Sequence, residues 1–134
     1  MQYWLMKSEP DVFSIDDLKS KKYEPWDGVR NYQARNFMRE MKVNDLFFFY
    51  HTGDVRAVVG IGKVVQEHYP DPTDETAQFS CVEVVYQETL KNKVSLSDIK
   101  ATPALAALKL VTHSRLSVMP VSAKEWGIIL KMSK

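Results

Sequence analysis

The run Leu46-Phe47-Phe48-Phe49-Tyr50-His51 carries no charged or small polar residue before its last position. A strand with one wet face alternates apolar and polar residues, so an unbroken apolar run of this length reads as a strand buried on both faces. The fold must cover it from two sides. The chain has 134 residues, 45% of them hydrophobic, which gives enough apolar surface for such a core and room for one domain spanning residues 1–134.

Other segments read as strands around it. Gln2 to Lys7 is the first, and the turn Thr52-Gly53-Asp54 follows the aromatic run. The next strand runs from Arg56 to about Glu67, where Gly60 and Gly62 predict a bend of the kind found at a barrel corner. Phe79 to Gln87 is a further strand, and Ser114 to Met119 is a shorter candidate closed by Pro120. Between them, Tyr69 to Thr76 holds two prolines and three acids and reads as a solvated loop, not a domain boundary.

Helix starts are legible from capping chemistry. Ser14 with Asp17, Ser95 with Asp98, and Ser122 with Glu125 form capping-box patterns, each flanked by apolar staple residues. Thr102-Pro103 marks a fourth start. From Tyr32 to Met41, the residues Ala34, Phe37, Met38 and Met41 form one apolar face, and Arg35, Arg39 and Lys42 a basic stripe beside it. Strands mixed with short helices, and a glycine-bent strand, predict an α+β fold: a small barrel with helices at its rim.

Charge and cysteine content exclude several classes. With 18 basic and 17 acidic residues, the net charge of +1 does not suit a protein that coats nucleic acid by bulk electrostatics, so any basic footprint must be local. Cys81 is the only cysteine and reads as inert packing. The first residues lack the basic and apolar regions of a secretory signal, and no stretch approaches the length of a membrane span; a cytoplasmic, monomeric protein is the expectation, with no membrane partner. His51, His68 and His113 have no metal-ligand spacing, and there is no P-loop, dinucleotide fingerprint or nucleophile elbow, so neither metal nor cofactor is expected.

Three clusters carry chemistry. Trp26-Asp27-Gly28-Val29-Arg30-Asn31 leads into the helix at Tyr32. It delivers an aromatic, an amide and, with Arg35, two guanidiniums around one helix start, which is what an unstacked base and its phosphate need. Lys7-Ser8-Glu9-Pro10 leaves the first strand with groups able to read a donor–acceptor edge, and Tyr50-His51 ends the aromatic run. On the residues alone, Trp26 in the core with solvated arginines is the favoured arrangement.

The strings Tyr3 to Pro10, Phe13 to Leu18, Trp26 to Asn36, Phe48 to His51, Val59 to Ile61, Tyr69 to Pro72 and Ser114 to Val118 resemble the EVE domain family, in order along nearly the whole chain. The resemblance implies a PUA-like small β-barrel of about five to six strands with peripheral short helices. It implies kinship with the YTH domains, which hold a methylated base in an aromatic cage. It also implies a nucleic-acid-binding, non-enzymatic module that recognises a modified base, modified cytosine in DNA or else RNA, flipped or single-stranded. Trp26, Asn31, Ser8, Glu9, Tyr50 and His51 are then the expected base-binding residues, and Lys7, Arg30, Arg35 and Arg115 the expected phosphate-binding ones. Two other readings stay open: a small hydrolase acting on a nucleotide or small molecule, with Glu9 and Lys7 or His51 and Asp54 as acid–base pair, and a protein-interaction module.

Overall fold

A computed structural model describes all residues, 1–134. Six strands form one sheet: β1 (Tyr3–Ser8), β2 (Glu24–Pro25), β3 (Leu46–His51), β4 (Ala57–Pro70), β5 (Ser80–Ser95) and β6 (Val118–Val121), in the order β2-β5-β4-β3-β1-β6. Only β1 and β3 run parallel, with Tyr3 opposite Leu46 and Ser8 opposite His51. Helices α1 (Ile15–Lys19), α2 (Tyr32–Glu40), α3 (Leu96–Lys100), α4 (Lys109–Thr112) and α5 (Ala123–Met132) fill the connections, with a 3₁₀ turn at Pro103–Leu105.

Period-two alternation divides the central strands between two faces. Trp4, Met6 and Ser8 share one face with Phe47, Phe49 and His51, while Tyr3, Leu5 and Lys7 share the other with Phe48 and Tyr50. On the first face Trp4 meets Phe37 of α2, and Trp26 packs against Phe47 and Phe49. On the second, Trp126 of α5 stacks on Phe48 at 3.8 Å and on Tyr3 at 4.5 Å. The aromatic run is thus covered on both sides, and Phe47, Phe48 and Phe49 are fully buried. The buried Asp45 carboxylate ties the first strand to the end of α2, accepting from the Gln2 N–H, the Trp4 indole N–H and the Lys42 N–H.

The expected barrel is not closed. Strands β2 and β6 are the free edges of an open sheet. Each is short and contains a proline, Pro25 or Pro120, which lacks the N–H that edge-to-edge pairing would need. Pro120 does not end the last strand, as the sequence suggested; it lies inside β6 opposite Trp4, with its donor-less side free at the edge. Gly60 and Gly62 do mark distortion. The β4–β5 register shifts beside each, between Val58 and Gly60 and between Ile61 and Gly62.

Gly62 has a packing reason of its own, because a Cβ there would run into the fully buried Phe47 ring. Gly62→Ala is therefore expected to destabilise the fold by about 1–3 kcal/mol through overpacking. Gly127→Ala, inside α5 with nothing within 4 Å of the new Cβ, is expected to stabilise by about 0.4–1 kcal/mol. Urea midpoints of the two variants, moving in opposite directions, check both.

The capping signals resolve individually. Ser14 and Ser122 form reciprocal boxes with Asp17 and Glu125. Ser95 accepts from the Asp98 N–H, but it is still the last residue of β5 and Asp98 returns no bond to it. Thr102 caps nothing and instead donates to the Asp98 carbonyl.

Candidate nucleic-acid interface

The parallel pair β1/β3 ends at Ser8 and His51, and the chain leaves both strands there. After Ser8, the Glu9 carbonyl accepts the Val12 and Phe13 N–H groups, closing a turn that the Ser8 hydroxyl reinforces by donating to the Phe13 carbonyl at 2.6 Å. This turn faces the segment Glu24-Pro25-Trp26-Asp27. Between the two lies a partly open cavity of about 260 Å³, lined by Ser8, Val12, Phe13, Glu24, Pro25, Trp26 and Asp27. That volume is at the small end for ligand sites and suits one small ring system.

The cavity's wall is apolar. Phe13 meets Trp26 edge-on, 6.3 Å between ring centroids. Trp26, which the resemblance implied as a base-stacking residue, is 7% exposed and packed edge-to-face on Phe47 and Phe49, the core position that the residues alone suggested. Its backbone N–H donates to Val82, continuing the β2 edge into the sheet. The indole N–H has no protein acceptor, yet no buried side-chain nitrogen or oxygen is left unpaired, so this donor opens to solvent. Val12, 74% exposed, forms an apolar lip. Glu24 and Asp27 add carboxylates, and no cation lines the cavity.

What fixes the Trp26 segment is the loop that the sequence suggested was solvated. Asp71 is buried, and its carboxylate accepts from the Gly28 N–H at 2.8 Å, Arg30 Nη1 at 3.0 Å, and both the N–H and the hydroxyl of Thr73. Gly28 takes φ +80°, where an L side chain is strained, so the tight turn that offers its N–H to Asp71 requires glycine. Burial pushes the Asp71 carboxyl up; the Thr73 hydroxyl, the Gly28 and Thr73 N–H groups and Arg30 together outweigh it and hold the group below its ordinary value. Asp74 acts likewise within the loop, held at about 2 chiefly by the Thr76 hydroxyl.

The expected site residues therefore separate. Ser8 and Trp26 meet at the cavity. Asn31 caps α2, its side-chain oxygen accepting the Ala34 N–H at 2.9 Å. Glu9 shapes the turn through its carbonyl, and its exposed carboxylate does not line the cavity. His51 is not in the cavity either. Its Nε2 accepts the Ile15 N–H and anchors α1, and burial lowers its pKa against the opposing effect of Asp16. Tyr50 and Lys7 lie on the opposite face of the sheet, because each is one residue out of step with His51 and Ser8.

The arginines are less free than expected. Arg30 pairs with Asp71 and Thr73 and lies over Phe79. Arg35 spends its donors on Asn36 and the Gln78 carbonyl while stacking on Tyr32, because the 70–80 loop folds back against α2. Arg115 is exposed and makes no ion pair. Glu24 and Asp27 were missed as lining residues; the adjacency of Asp27 to Trp26 was the one signal for the latter.

Cys81 is buried, and burial raises its thiol pKa, as suits packing. No helix is long and apolar enough to cross a membrane.

The family model for the EVE domain matches residues 2–132. Thymocyte nuclear protein 1 of Mus musculus is 38% identical, the match covering 98% of this chain and 74% of that protein. The solution structure of a Rhodopseudomonas palustris protein superposes with a TM-score of 0.93 at 44% identity, covering 99% of this chain and 93% of the other. Human THYN1 protein in complex with 5-methylcytosine-containing DNA superposes with a TM-score of 0.92 at 33% identity, covering 100% of this chain and 98% of that one. The fold is the mixed α+β, PUA-like arrangement of these proteins, with its sheet left open, and the chain belongs to the EVE domain family.

Proposed function

We propose that this protein binds DNA and reads a modified cytosine, 5-methylcytosine in the first instance, in the cavity between the Ser8–Phe13 turn and the Trp26 segment. The observation that carries the reading is the cavity's lining: carboxylates beside an apolar wall, with an indole donor open to solvent. Cytosine carries an exocyclic amino donor next to C5 on its ring, with acceptors further along the same edge. Asp27 or Glu24 would accept from the amino group. Val12, Phe13 and Pro25 would cover the C5 methyl, and Trp26 Nε1 would donate to a ring acceptor. The human protein solved with 5-methylcytosine-containing DNA shares this fold and supports the assignment.

Reaching the cavity requires extruding the base, which costs a few kcal/mol, and aromatic contact returns about 1–3 kcal/mol. Edge contacts and phosphate contacts must then supply net affinity. Of the expected arginines, Arg30 is tied up by an ion pair and Arg35 by hydrogen bonds to Asn36 and Gln78, whereas Arg115 makes neither kind of contact, and the Asn31 amide retains its donors beside the helix start. The reading is non-enzymatic, acting as one domain in the cytoplasm. The only hydroxyl in the cavity, that of Ser8, gives its proton to a carbonyl and not to a base.

Matched duplexes with cytosine or 5-methylcytosine at one position test this. The modified duplex is expected to bind more tightly, and equal affinity would remove the assignment. Asp27→Ala, at an exposed position, should leave stability within about 0.5 kcal/mol while lowering affinity for the modified duplex about tenfold.

A further inference from the structure

On the face of the sheet opposite the base cavity lies a second cavity of about 330 Å³, lined by Lys7, Tyr50, Thr52, Arg56, Lys100 and Ser114 among others. It shares no residue with the first. Three cations line it and no carboxylate does. None of the three makes an ion pair within 4.0 Å anywhere in the chain. Asp54 lines the adjoining cavity with Arg56 and Lys100 but lies beyond ion-pair distance of both, so a cleft lined by cations alone is left to attract an anion.

The surrounding groups are arranged as donors. Lys7 Nζ gives one hydrogen bond to the Ser114 carbonyl at 3.0 Å and sits 5.8 Å from the centre of the Tyr50 ring, leaving further N–H groups unspent. Tyr50 is 3% exposed and lines the cavity, and its hydroxyl has no hydrogen-bond partner in the chain. Arg56 is held at φ +44°, and its carbonyl is fixed by the Leu96 N–H. Burial lowers the pKa of Lys7, the direction expected for an ammonium that a bound anion would relieve.

We propose that this second cavity binds a phosphate group through Lys7, Arg56 and Lys100, with the Tyr50 hydroxyl as an additional donor. The phosphate has two possible sources: the backbone of a bound nucleic acid, or a free phosphorylated small molecule such as a nucleotide. The proposal stands on this cavity alone and does not require the base-reading one.

Titration with inorganic phosphate, followed by amide and side-chain NMR shifts, tests it on the full chain. Shifts are expected at Tyr50, Arg56 and Lys100. Arg56→Asn, which tolerates the left-handed backbone, and Lys100→Gln should each weaken binding about tenfold with unchanged melting temperature. Phosphate that leaves these resonances unmoved, or binds both variants as well as the parent, overturns the proposal. A duplex oligonucleotide separates the sources. A backbone phosphate predicts that both variants weaken modified and plain duplexes alike and flatten the salt dependence by about one unit per lost contact. A free phosphorylated ligand predicts weaker phosphate binding with duplex affinity intact. A parent protein that binds both duplexes equally would sink the cytosine reading and leave the phosphate result standing.

Discussion

Trp26→Ala is expected to lose about 3–5 kcal/mol of stability, the range for truncating a large buried aromatic. The ring is 7% exposed and packed against Phe13, Phe47 and Phe49, so its removal opens a void in the sheet's central face. A loss of DNA binding in that variant would not distinguish a broken site from a broken fold. Trp26→Phe does distinguish them. Phenylalanine keeps most of the apolar contact but has no indole N–H, the donor that has no acceptor within the chain on a residue lining the cavity. Its stability should fall by about 1–2 kcal/mol as a partial truncation, while the preference for 5-methylcytosine over cytosine duplexes should drop severalfold. Thermal melts and paired titrations read both. A Trp26→Phe protein with parental preference would make Trp26 a core residue only.

How far the sequence foretold this follows from where the signals sit. The aromatic run gave β3 to the residue, because an apolar stretch between turn signals has one arrangement that hides both faces. Ser14 and Ser122 were legible because reciprocal caps are local chemistry. β5 was read only to Gln87, yet it runs to Ser95: Gln87 to Lys93 is mostly polar, with Glu88 and Thr89 held by β4 and Leu90 to Lys93 bulging out of the register before Val94 and Ser95 pair again. The site failed in a different way. Lys7 and Ser8, or Tyr50 and His51, are neighbours in the chain and seem to belong to one cluster. In a strand they point to opposite faces, so one expected site became two cavities. Arg30 and Arg35 seemed free because their partners, Asp71, Thr73 and Gln78, lie some forty residues away in a loop whose composition suggests solvation.

That loop sets the second large expectation. Asp71→Ala should cost about 2–4 kcal/mol, since it removes the acceptor for two backbone N–H groups, a hydroxyl and a guanidinium at a buried position. Arg30, whose side chain is 41% exposed, can turn to water, which limits the penalty. The change should also release Gly28 and with it the Trp26 segment, so binding of the modified duplex should weaken although Asp71 lines no part of the cavity. A pH series separates the carboxylate's charge from its shape. The folded-state pKa of Asp71 is depressed below the ordinary 3.8, so its stabilising contribution is fully present above that value and is lost as pH falls through the lower, folded value. Melting temperatures of the parent should therefore decline below about pH 4, with Asp74, held at about 2, adding to the acid end of the fall. Asp71→Asn keeps one acceptor oxygen but has no charge to lose. Its melting temperature should be lower than the parent's at pH 7, and the gap should narrow as pH drops from 4 toward 2. A constant gap across that range would mean that the Asp71 clamp works through hydrogen-bond geometry alone and that its ionisation contributes nothing to holding the Trp26 segment.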